Sequence, residues 1–109
     1  MINYTTPTIS LVVEGVTLEG DIYVTLEQGR IELTKTGEDL TVTNTTHDQV
    51  TDTNISFMLS QTESAQFKFN MACNVQVNWI TASGIRRATE IKSVPVMRNL
   101  LDEVIEYGN

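Results

Sequence analysis

The chain has one cysteine, one histidine, one tryptophan, two prolines and only seven aromatic residues in 109 positions. Each shortage excludes something. A lone Cys73 cannot form an intramolecular bridge, so a disulfide scaffold is excluded, and its expected role is that of a small buried hydrophobe. One histidine and one cysteine, 26 positions apart, cannot supply the three or four closely spaced ligands of a zinc site. His47 stands beside Asp48 in a polar stretch and there is no G-x-S-x-G, so a hydrolase triad has neither its nucleophile elbow nor an oriented base. Glycines occur singly, as at turns, rather than in a phosphate-cradling cluster. No run approaches the ~18 apolar residues of a membrane span. With Met1–Pro7 lacking a basic region followed by an apolar core, a chain made and folded in a cytoplasm is expected.

Positive charge is also scarce. Seven Lys and Arg against 14 Asp and Glu give a formal net charge of −7, which argues against wrapping nucleic acid, because that affinity comes from cations displacing counterions. The weaker chemical readings fail on spacing. Asp48, Asp52 and Asn54 could offer oxygens to a hard cation, but the glycine and closing glutamate of a calcium loop are missing. Paired carboxylates for glycoside hydrolysis lack anything to shape a sugar cleft. Asn3, Asn44 and Asn54 begin N-x-[ST] triplets, which arise by chance in so threonine-rich a chain. No catalytic residue, cofactor or metal ligand is therefore assigned, and the chain is read as non-enzymatic.

What is abundant is β-branched side chain: 16 Thr, 11 Val and 9 Ile. These are stiff at χ1 and suit a pleated surface. Period-two alternation appears at Ile9, Leu11, Val13 and again at Ile22, Val24, Leu26. Gln28-Gly29 and Thr36-Gly37-Glu38-Asp39 read as tight connections of hairpins, the first leading to 31–35 and the second to 40–43. The polar stretch 44–52 reads as a loop or weak edge strand, and alternation resumes at 54–59. Ser60 or Thr62 can cap one helical turn that carries Ala65 and Phe67 to the core. Val75, Val77 and Trp79 then face inward opposite Asn74, Gln76 and Asn78, with Trp79 a core aromatic; Ala82-Ser83-Gly84 turns the chain back. A parity change between Ile91 and Val94 predicts a bulge or a side switch, and Pro95 confines that end to a sheet edge. About seven antiparallel strands within 8–96, without long interleaved helices, predict a single-domain all-β sandwich over 1–109.

After Pro95, Met97, Leu100, Leu101, Val104 and Ile105 fall at i, i+3, i+4, i+7 and i+8, which predicts an amphipathic helix over about 97–107, capped by Asn99 and stopped by Gly108. So short a helix must pack to persist, either on its own domain or on a neighbour. The candidate interface residues are accordingly Leu100, Leu101, Val104 and Ile105, joined by Arg86 and Arg87, a basic pair suited to carboxylates of another copy.

The run Thr62-Glu63-Ser64-Ala65-Gln66-Phe67, the strand Val75-Gln76-Val77-Asn78-Trp79, the turn at Gly84, Thr89-Glu90-Ile91-Lys92 and Val94-Pro95-Val96 resemble the immunoglobulin-like β-sandwich domains of phage and prophage virion proteins, in particular the amino-terminal domains of baseplate upper proteins. The resemblance implies a structural building block of a tail or baseplate, located in the virion, usually multimeric and without catalysis, whose partners are itself or other virion proteins. A different expectation from the residues is a binding module that recognises a carbohydrate or host surface through Asn44, Thr45, Thr46, His47 and Asp48.

Overall fold

The structure, a computed structural model, describes residues 1–18 and 20–106. Eight strands form two antiparallel sheets: β1 (Thr8–Val13), β2 (Ile22–Gln28), β3 (Ile31–Thr36), β4 (Thr41–His47), β5 (Val50–Met58), β6 (Ala72–Ile80), β7 (Arg86–Ala88) and β8 (Lys92–Pro95). One sheet has the order β1-β5-β4; the other runs β3-β2-β6-β7, with β8 also on β6. Period-two patterning decides which side chains are shared. Ile9, Val13, Ile55 and Phe57 of the first sheet and Val24, Leu26, Val75, Val77 and Trp79 of the second belong to one buried cluster, completed by Leu59, Phe67, Cys73 and Val96. Trp79 and Cys73 thus lie in the core as expected; burial pushes the Cys73 thiol up to about 11 and leaves it inert.

The β2–β3 hairpin turns through Gly29-Arg30, where Gly29 takes φ 60. The second glycine connection differs from expectation. Gly37–Asp39 is a 3-10 turn that carries the chain from one sheet to the other, so β3 and β4 are not a hairpin. Of the two alternatives for the polar stretch 44–52, the edge strand is met over 44–47: the stretch is the tight end of a β4–β5 hairpin whose turn, Asp48-Gln49, holds both central residues at positive φ (47 and 66). Neither residue is glycine, so the usual hairpin signal is missing from the sequence. A bulge is present, but before Lys92, whereas the parity change placed the irregularity between Ile91 and Val94. Asn78 pairs with Ala88 and Val75 with Lys92, which leaves three residues, Thr89–Ile91, opposite two.

The single helical turn α1 (Gln61–Ala65) has a full capping box: the Ser60 hydroxyl accepts from the Glu63 N–H at 3.1 Å and the Glu63 carboxylate accepts from the Ser60 N–H at 2.9 Å. Lys35 of β3 reaches the same carboxylate at 2.8 Å and so ties α1 to the sheet. Burial acts to raise the Glu63 carboxyl, but Lys35 and the Ser60 N–H outweigh it and hold the group below its ordinary range.

The predicted C-terminal helix does not form among the described residues of 97–106; Tyr107 and Gly108 lie outside them. The physical reason lies in where the backbone groups go. Met97 bridges Ile2 in parallel fashion, its N–H donating to the Met1 carbonyl at 2.7 Å and its carbonyl accepting from the Asn3 N–H at 3.1 Å. Asn99 accepts from the Leu101 N–H two residues on at 3.1 Å, as a cap does, but its own N–H goes to Asn3 Oδ1 at 3.0 Å and no helical turn follows. The Ile105 N–H donates to Gln61 Oε1 at 2.8 Å and the Ile105 carbonyl accepts from Gln61 Nε2 at 2.9 Å. Groups that a helix would pair internally are committed to β-type and side-chain partners.

Buried polar side chains hold the connections. Gln28, 4% exposed, donates to the Lys68 carbonyl at 2.8 Å and the Met71 carbonyl at 3.1 Å and accepts from the Lys68 N–H at 2.6 Å. Fully buried Thr53 donates to the Val16 carbonyl at 2.8 Å and accepts from the Leu18 N–H at 3.1 Å. Gln28→Leu keeps the volume but orphans the Lys68 N–H and two carbonyls. A loss of about 2–4 kcal/mol is expected from those unpaired groups in urea unfolding followed by circular dichroism. Gly20, at φ 70, sits where an added Cβ would meet the Ile80 backbone carbonyl, whereas Gly37, at φ 59, faces open space. Gly20→Ala is therefore expected to destabilise by more than about 2 kcal/mol and Gly37→Ala by only about 1 kcal/mol in the same measurement.

Candidate functional site

The apolar residues singled out from the sequence are exposed on the 97–106 segment: Leu100 at 87%, Ile105 at 57%, Leu101 at 49% and Val104 at 45%. The segment is anchored at Asn99 by Asn3 and at Ile105 by Gln61, so it crosses the surface between two fixed points. Asn3 itself is buried and bridges inward, its Nδ2 donating to the Phe67 carbonyl at 3.4 Å. Without a helix, the side chains do not share one stripe, yet all four remain open to a partner.

Arg86 and Arg87 are not brought beside them. Arg86 pairs with Ile80 at the end of β6, and Pro95 pairs with Ala72 at its start, so the two regions lie about 26 Å apart along the strand. Alternation also sends the two arginines to opposite faces. Arg86 donates to Asn78 Oδ1 at 3.2 Å on the outer face, while Arg87 stands opposite Trp79. With Tyr23, Thr25 and Thr34, Asn78 and Arg86 line an open groove of about 440 Å³.

The residues expected to form a recognition loop lie on β4 and its turn, and their side chains bond one another across the hairpin. Asn44 meets Thr53 at 3.2 Å, Thr45 meets Asn54 at 2.9 Å, Thr46 meets Thr51 at 3.0 Å and His47 meets Asp52 at 2.9 Å. Asp52 also accepts from the Gly15 N–H at 2.8 Å, which lowers its carboxyl from the ordinary value, with His47 as the next contributor. Asp48, Asp52 and Asn54 do not converge, since Asp52 is turned to Gly15 and His47 and Asn54 to Thr45.

Sequence reasoning missed a cleft of about 600 Å³ at the seam of the termini, lined by Tyr4, Lys68, Phe69, Asn70, Arg98 and Asp102 among others. The Arg98 guanidinium stands 5.7 Å from the Phe69 ring centroid. Tyr4 and Asn70 both hold positive φ there, at 60 and 66. No local pattern announces the cleft, because its residues come from three distant parts of the chain, joined by the Asn3 contacts and by the Asn70 N–H to the Val96 carbonyl at 3.2 Å. Among the described residues no three His, Cys, Asp or Glu side chains are grouped to hold a metal ion, and no helix is long and apolar enough to cross a membrane.

Compared with protein-family models, curated proteins and solved structures, the chain matches none of them.

The depressed Asp52 carboxyl predicts a pH response with a definite sign. Because the folded group ionises below its unfolded value, the tie to Gly15 is fully present above the ordinary carboxylate range and is lost as the pH falls through the lowered one. The protection of the Gly15 amide, followed by NMR as its exchange rate relative to the intrinsic rate at the same pH, is expected to fall on acidification below about pH 4 and to be absent at every pH in Asp52→Ala.

Proposed function

We propose that this chain is an immunoglobulin-like β-sandwich serving as a non-enzymatic structural or assembly component of a phage or prophage virion, of tail or baseplate type. It is made in the host cytoplasm and acts by protein–protein association with copies of itself or with other virion proteins. The observation that carries the association is the exposure of Leu100, Leu101, Val104 and Ile105 on a segment whose backbone is pinned at both ends. Contiguous exposed apolar groups mark contact surfaces, and a pinned backbone lowers the ordering cost of binding. The virion setting rests on the resemblance of the strand and turn motifs from Thr62 to Val96. The carbohydrate-binding alternative is less well supported, because the side chains of Asn44, Thr45, Thr46 and His47 are engaged with β5.

Leu100→Glu tests the reading without touching the core. The intact chain is expected to have a multiple of its 12.2 kDa mass by light scattering, and the variant a smaller multiple, with stability unchanged within about 0.5 kcal/mol. An intact chain that stays at one copy up to millimolar concentration, and that binds no product of the genes flanking its own, would sink the association. Flanking genes for metabolic enzymes in place of capsid or tail proteins would sink the virion setting.

A further inference from the structure

Sheet edges offer unpaired N–H and C=O groups to any passing strand, and proteins guard them with charges, prolines, bulges or covering segments. The edges of this molecule are guarded unequally. β3 carries Glu32 and Lys35, the latter bonded to α1. The opposite edge of that sheet carries Arg86, Arg87, Lys92 and Pro95 and is interrupted by the bulge at Thr89–Ile91. On the three-stranded sheet, β1 shares a small hollow with Thr89 and Lys92, which lie against Leu11, Val12 and Val13.

The remaining edge, β4, has none of these devices. It reads Thr-Val-Thr-Asn-Thr-Thr-His over Thr41–His47, with neither proline nor glycine, neither lysine nor carboxylate. All seven residues are exposed. It pairs with β5 along its whole length without a bulge, from Thr41↔Ser56 to His47↔Val50, and is therefore held straight and extended. Val42 lies opposite Ile55, on the core side of the sheet, yet is 40% exposed, so the core-facing side of β4 also overhangs uncovered.

We propose that β4 pairs antiparallel with β4 of a second copy, joining two three-stranded sheets into one of six strands about a two-fold axis through Asn44. The strand is self-complementary in that register. Thr41 meets His47, Val42 meets Thr46, Thr43 meets Thr45 and Asn44 meets Asn44, so no like charges face each other and threonines stack on threonines. The two edges of the larger sheet would bring their own charges to the seam, and β1, itself uncharged, has Thr89 and Lys92 against it; β4 brings two neutral, uncovered strands together. This contact is separate from the apolar 97–106 segment and does not depend on it.

Two measurements test it on the full chain. In sedimentation equilibrium the intact protein is expected to show twice 12.2 kDa at about 100 µM, as befits a small interface. The double variant Thr43→Lys/Thr45→Lys sets lysine opposite lysine twice and is expected to weaken the dimer at least tenfold while keeping the far-UV circular dichroism spectrum of the folded chain. Secondly, Asn44→Cys places two thiols on the axis, where directly opposed Cα atoms are about 4.5–5.5 Å apart, within disulfide reach. Mild oxidation is expected to give a covalent dimer, and Thr34→Cys on the far sheet is expected to give none; buried Cys73 does not interfere. Absence of the Asn44→Cys cross-link, or a Thr43→Lys/Thr45→Lys variant that associates as the intact chain does, overturns the β4 pairing. If Leu100→Glu alone dissociates the protein, the association reading stands and this one falls; if only the β4 variant does, the reverse holds.

Discussion

Every connection that passes beneath or between two sheets carries backbone amides and carbonyls away from water, and an unpaired one costs about as much as a core cavity. This constraint organises the molecule. Four buried polar side chains, Asn3, Gln28, Thr53 and Ser64, each bond the backbone of a segment far off in sequence. Gln28 leaves β2 to hold 68–71, Thr53 leaves β5 to hold 16–18, Ser64 leaves α1 to hold the Thr5 carbonyl at 2.6 Å, and Asn3 holds both Phe67 and Asn99. The apolar cluster supplies the driving force, but it is indifferent to where a loop lies. The polar clamps supply the direction, and the cleft at Tyr4, Phe69 and Arg98 exists because three of those segments are held side by side.

The sheets were legible in the sequence wherever one face is buried. Val24 and Leu26, and Val75, Val77 and Trp79, alternate with polar partners because a one-residue slip would turn the whole set to water. The one-turn helix was legible through Ser60, one of the two caps expected, while the Glu63 half of its capping box went unread although the three-residue spacing carries it. Two kinds of feature were not. Asp48-Gln49 forms a hairpin turn without a glycine, because the paired strands impose the positive φ that the residues do not prefer. The 97–106 segment has helical spacing but no helix: a short helix gains little by itself, and strand-like contacts to Met1, Ile2 and Asn3 compete successfully for its backbone.

The candidate surface was legible in composition and not in geometry. The apolar residues are exposed as a contact surface needs, yet the arginines expected to join them stand at the other end of β6, on two faces. Adjacency in sequence concealed the alternation of Arg86 and Arg87, and distance along the strand was invisible until β7 and β8 were both placed on β6. Only the first part of the overhanging β4, within 40–43, reads as strand, and the rest reads as a loop or weak edge strand, for a related reason. Period-two patterning reveals a strand only through burial on one face, and β4 is exposed on both.

The Glu63 carboxylate joins two roles that respond differently to change. It pairs with Lys35 across the sheet and caps the Ser60 N–H at the start of α1. An ion pair is symmetric under exchange of its charges; a cap is not, since an ammonium cannot accept the Ser60 N–H. Swapping the two residues would restore the attraction and still uncap the helix. Divergent versions of this chain should therefore be free to replace Lys35 with arginine or with a neutral donor, while position 63 stays confined to glutamate or glutamine.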